Sequence, residues 1–202
     1  MSRFTESVMN KKAKYAEKLV KNHLINTGVI VTYSPDVENK AHTFDMLMAS
    51  SDKKTIMIAE VKAVNERDFY PDTGISINHY HQYLHIQKKY NLRVFIFFVD
   101  TKKGKIYGQY LDVLTDIYYV THKGKVIEYP KIEKDKYGAA VGGSIIYFPT
   151  EQMRDIKTLT SDEISTLNLL SNKGHKEDMN HIVSVVNRKN ELIEYNENIF
   201  TP

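Results

Sequence analysis

The chain has 202 residues, 28 Lys and Arg against 25 Asp and Glu, a net charge of +3, and no cysteine. The lack of cysteine excludes disulfides and thiolate metal sites, and so small a net charge does not by itself mark a nucleic-acid binder. The length suits one domain with a full core; no apolar run could cross a bilayer and no signal-peptide order opens the chain, so the expected location is cytoplasmic, in a cell or in a virus-infected host.

The first segment with helical spacing covers residues 9–26, where Ala13, Val20 and Leu24 form a stripe at i, i+7 and i+11. Glu17 fills the i+4 place of that stripe. A carboxylate there is costly to bury unless it meets a cation or a metal. The alternative is a slightly rotated helix with Glu17 at its edge, paired with Lys14 or Lys21. Lys11, Lys14, Lys18 and Lys21 make a basic stripe, joined by Lys12, that either follows a phosphate backbone or is a solvated face. Residues 29–33 read as a strand ended by Pro35, with Asp36 in the polar loop beyond it.

Residues 44–48 and 56–62 read as two strands joined by the turn-like Ser50-Ser51-Asp52-Lys53-Lys54. Residues two apart on a strand share a face, so Glu60 and Lys62 point the same way as Ile56 and Ile58. A carboxylate and an ammonium at the end of an apolar strand are not packing residues. Pairing the neighbouring strand sets Asp45 beside them and makes a hard oxygen site suited to magnesium. That constellation suits phosphodiester hydrolysis. Asp36, in the literal Pro35-Asp36 pair, is the reserve candidate for the first carboxylate.

An N-terminal helix with Glu17, then Asp45, fourteen intervening residues and Glu60-Val61-Lys62, resembles the PD-(D/E)XK nuclease superfamily over residues 10–112. The resemblance implies a restriction-endonuclease-like αβββαβ core with a central mixed sheet, and a metal-dependent nuclease acting on DNA ahead of RNA. It implies Asp45, Glu60 and the Val61 carbonyl as ligands of magnesium or manganese, with Lys62 near the attacking water. Glu17 would serve a second ion or a metal-held water, and Lys14, Lys18 and Lys21 would contact the nucleic acid. A helix capped at Ser76 or Asn78 and running to Tyr90 follows. Members of the superfamily often place a Gln, Lys or Tyr there, which makes Gln82 a candidate site residue; the alternative is an exposed helix Gln. His79, His81 and His85 read as a polar face.

Residues 93–99 read as a strand buried on both faces. Residues 105–110 form another strand, 117–120 and 126–129 a hairpin, 131–143 an exposed loop, and 144–148 a strand able to join the main sheet. Thr160 would cap a short helix through Leu170. The expected organisation is a nuclease domain over residues 1–170 with a C-terminal β-hairpin extension, and a polar tail over 171–202. Tyr70, Tyr80 and Tyr83 could stack on unpaired bases. Homo-oligomerisation stays open, and no membrane association is expected. The rival classes are a nucleic-acid-binding module that keeps the fold without chemistry, and a virion or scaffold component.

Overall fold

Alternation along two apolar strands decides which helix covers each face of the central sheet. The computed structural model describes residues 8–33, 44–50, 52, 54–134 and 143–171. Helix α1 (Val8–Asn26) leads into β1 (Ile30–Tyr33), β2 (Met46–Ala49) and β3 (Ile56–Lys62). A short strand β4 (Asp72–Ser76) then feeds α2 (Ile77–Tyr90), followed by β5 (Arg93–Asp100) and β6 (Lys105–Tyr110). The main sheet has the order β1-β2-β3-β5-β6 and closes with β11 (Arg154–Thr158) at its far edge. Strands β3 and β5 are parallel, and every other pair in this sheet is antiparallel. The protein is therefore a mixed α/β fold with helices on a mixed sheet.

Odd-numbered residues of β3 and β5, such as Ala59, Val61, Phe95 and Phe97, pack with Ala16, Leu19, Val20 and Leu24 of α1. Even-numbered ones, Ile58, Val94, Ile96 and Phe98, pack with Tyr83 and Ile86 of α2. The sheet centre is thus buried from both sides, as the continuous apolar run of β5 requires. On α1 the apolar face centres on Ala16, Leu19, Val20 and Leu24, all buried, while Ala13 and Glu17 lie half-buried on its flank. Ser76 caps α2 by accepting a hydrogen bond from the Asn78 N–H, and Asn91 ends it with φ of 52°.

Several expectations need correction. Asp45 stands at a bend just before β2 rather than inside a strand. Residues 72–76 form β4, and residues 144–149 do not join the main sheet. Strand β10 (Ser144–Pro149) instead pairs with β4 on one side and with β9 (Lys131–Lys134) on the other, making a separate three-stranded sheet. Residues 131–134, read as loop, are that β9 strand. Gly74 is required in β4 because a side chain there would meet the Ile146 carbonyl at 2.6 Å. Between β6 and β9, a short helix α3 (Leu111–Leu114) precedes the hairpin of β7 (Tyr118–His122) and β8 (Lys125–Tyr129). Lys123 and Gly124 turn that hairpin with positive φ of 49° and 75°. A 3₁₀ turn (Thr150–Gln152) precedes β11, and α4 (Ser161–Leu169) has the full capping box of Thr160 and Glu163. No described helix is long and apolar enough to cross a membrane.

Candidate functional site

Strand register brings the central carboxylates together. Met46 faces Ala59 across the β2–β3 ladder, so the next antiparallel pair would be Asp45 and Glu60. At that point the chain bends, and the Asp45 Oδ2 accepts the Val61 backbone N–H at 2.6 Å. The ladder ends on a side chain, which fixes Asp45 at the C-terminal end of β3.

Glu60 is 4% exposed and points to the α2 face. Its Oε1 accepts two donors, the Lys62 ammonium at 2.5 Å and the Tyr83 hydroxyl. The Lys62 Nζ also lies 5.7 Å from the centre of the Tyr83 ring. Burial first, then the Glu60 charge, pushes the Tyr83 phenol above its ordinary range, which keeps it a proton donor. Tyr83 is thus part of the site, and it is buried, so it cannot stack on bases.

These residues open onto a cavity of about 350 Å³ lined by Lys12, Ala13, Glu17, Asp45, Glu60, Val61, Lys62, Ala63, Leu170 and Ser171. Side chains from both faces of β3 take part, so the cavity lies at the strand end, where the two faces meet. Glu17 reaches it from α1, and the end of α4 supplies the third wall. The cavity is short of positive charge. Burial first, then Glu60 and Glu17, pushes the Asp45 carboxyl up to about 8, against the Val61 N–H and Lys62. Burial and then Glu60 likewise raise Glu17, opposed by Lys14 and Lys62.

The donor set fits a hard divalent cation, which the raised carboxyls would welcome. Among the described residues no three acidic or histidine side chains are gathered as a ready-made metal centre. Magnesium does not need one, because it is commonly held by one or two carboxylates together with water and substrate phosphates. Asp45 and Glu60, the latter already engaged by Lys62 and Tyr83, meet that requirement.

The remaining candidates lie elsewhere. Gln82 is exposed on α2 outside the cavity lining, one residue from the Tyr83 that faces Glu60. His79, His81 and His85 are exposed on the same helix. Lys14 is exposed, and Lys18 and Lys21 are half-buried; none of the three lines the cavity. Asp36, and all but Ser171 of the expected tail, lie outside the described residues. Sequence reasoning gave Tyr83 a stacking role in place of its bond to Glu60, and missed Leu170 and Ser171. For Tyr83 a signal existed: it stands three residues before Ile86, so both belong to one helical face.

The fold and cavity define an α/β protein with a carboxylate–lysine cluster at the C-terminal end of a central strand. No protein-family model matches the sequence, and no curated protein matches it. Among solved structures the chain is similar to a Holliday junction resolvase from the archaeal hyperthermophile Archaeoglobus fulgidus, at 14% identity and a TM-score of 0.38, over 57% of this chain and 88% of that one.

Proposed function

We propose that this protein is a PD-(D/E)XK-type nuclease that hydrolyses phosphodiester bonds in nucleic acid, DNA ahead of RNA, with magnesium or manganese. The observation that carries this reading is the meeting of Asp45, Glu60 and Lys62 with Glu17 in one open cavity at the end of β3. Asp45, Glu60 and the Val61 carbonyl would hold the ion, with Glu17 beside them. Once bound, the ion would supply Lewis-acid polarisation of the phosphate and acidify water.

The chain's own residues do the rest. Lys62 has three ammonium donors, so it can keep its bond to Glu60 and still meet a phosphate oxygen as negative charge develops there. Tyr83 donates to the same Glu60 oxygen as Lys62 and helps fix where the carboxylate points. The half-buried setting of Glu17 favours a role in orienting water or a second ion. Lys14 and its stripe on α1 would follow the substrate backbone outside the cavity.

Incubating the protein with supercoiled plasmid, single-stranded DNA, branched DNA and RNA tests the reading. With magnesium or manganese, cleavage of at least one DNA substrate is expected, and chelator should stop it. Binding to the same substrates without cleavage under any of these conditions would favour a non-catalytic binding module instead.

A further inference from the structure

We infer that Lys12 is a phosphate-binding residue of this cavity, a second ammonium that meets the substrate backbone opposite Lys62. The inference deepens the nuclease reading and rests on it. Lys12 lines the cavity with Glu17, Asp45 and Glu60, whereas none of Lys14, Lys18 and Lys21 does.

Helix geometry explains the difference. At about 100° per residue, Lys12 lies within roughly 40° of both Ala16 and Leu19, which are buried against the sheet. Lys11, Lys14, Lys18 and Lys21 fall on the opposite side of α1. Lys12 is therefore a lysine on the core-facing side of the helix, placed near the end where the apolar cover gives way to the cavity. A position on that side would otherwise take an apolar residue.

Its surroundings are those of an uncommitted cation. The Lys62 ammonium donates to Glu60, but among the described residues Lys12 makes no ion pair or side-chain hydrogen bond. Burial pulls its pKa below the ordinary lysine value, against the attraction of Asp100. A partly desolvated ammonium gains most from an anionic ligand. Lys62 comes from β3 and Lys12 from α1, so the two approach the cavity from different walls. Between them they can neutralise a phosphate that the three carboxylates would otherwise repel.

The test measures binding of a fluorescent DNA duplex over a range of salt, with calcium as the divalent ion, for the wild-type protein, Lys12→Gln, Lys12→Arg and Lys54→Gln. Lys54 is exposed in the turn at the far end of β3 and serves as the control. Losing one phosphate contact should flatten the slope of log affinity against log salt by about 0.9 and weaken binding roughly tenfold. Lys12→Arg and Lys54→Gln should keep the wild-type slope. Heat of magnesium binding in Lys12→Gln should be unchanged or larger, because a competing cation has gone. Unchanged affinity and slope in Lys12→Gln would overturn the inference, whether or not the wild type cleaves. A wild type that binds in calcium but cleaves none of the four substrates in magnesium or manganese would sink the nuclease reading and leave Lys12 to be judged by its slope. A wild type that does not bind the duplex at any salt would overturn the inference and, if it also cleaves none of the four substrates in magnesium or manganese, the nuclease reading as well.

Discussion

Asp45→Asn is expected to stabilise the metal-free protein at alkaline pH while removing its response to magnesium. The folded carboxyl titrates at about 8, well above its ordinary value of 3.8. Between those values the folded state holds a proton that the unfolded state has released, so stability must fall as pH rises through that window. Asparagine removes this cost and keeps an acceptor for the Val61 N–H. The ceiling is roughly 5–6 kcal/mol, at about 1.4 kcal/mol for each pH unit of that window. That N–H favours the charged carboxylate, so a gain of a few kcal/mol at pH 8 and little at pH 4 is expected. Urea unfolding at both pH values, with and without magnesium, checks it. Wild type should gain stability on adding the ion and the variant should not. A variant that keeps the wild-type pH dependence would show that Asp45 does not carry the raised pKa.

The largest effect expected away from the cavity comes from Arg67→Ala. Arg67 lies in the loop that leaves β3, five residues after Lys62, and its Nε and Nη2 reach the two oxygens of Asp72 at 2.5 and 2.6 Å. Its Nη1 reaches Glu133 on β9 at 2.7 Å, and its guanidinium lies 3.7 Å from the centre of the Tyr147 ring on β10. Asp72 is wholly buried and also accepts the Tyr129 hydroxyl at 2.7 Å. One arginine thus joins the site-bearing loop to the three-stranded sheet and the hairpin. Removing it leaves a buried carboxylate with Tyr129 as its remaining side-chain donor, which should cost roughly 3–5 kcal/mol. Arg67→Lys should recover only part of this, since lysine has neither the planar fork nor the stacking surface. Chemical denaturation reads both variants, and a loss below about 1 kcal/mol for Arg67→Ala would contradict this role.

What the sequence made legible was local. Periodicity placed α1, α2, β3 and β5, and side-chain alternation put Glu60 and Lys62 on one face. The hairpin turn after β2 placed Asp45 opposite Glu60, although the strand starts at Met46, two residues later than the reading of 44–48. Elements that depend on distant partners were harder to read. Asp72-Thr73-Gly74 has the composition of a turn, yet it forms a strand because Arg67 and Tyr129 satisfy Asp72 and because β10 packs too closely for a side chain at Gly74. Missing that strand also sent β10 to the wrong sheet. Strand β11, Arg154-Asp155-Ile156-Lys157-Thr158, carries three charges in five residues and no apolar alternation, as an edge strand can. Within the site, Gln82 drew attention for its chemistry while Tyr83 has the geometry. Choosing between neighbours on a helix requires knowing which face meets the sheet. The wall formed by Leu170 and Ser171 depends on the return of the chain after β11, and no local pattern encodes that.

Whether the cavity at the end of β3 hydrolyses phosphodiesters with a divalent ion is decided by plasmid cleavage in magnesium, comparing wild type with Glu60→Gln. The two proteins are purified identically and matched by circular dichroism. Glutamine keeps the size of Glu60 and can still accept from Tyr83 and Lys62, so the fold should survive while the charge is lost. Wild type should cleave, and chelator should stop it. Cleavage by the variant should be lower by roughly a hundred- to a thousandfold or more. Equal cleavage by the two proteins would show that hydrolysis does not take place in this cavity.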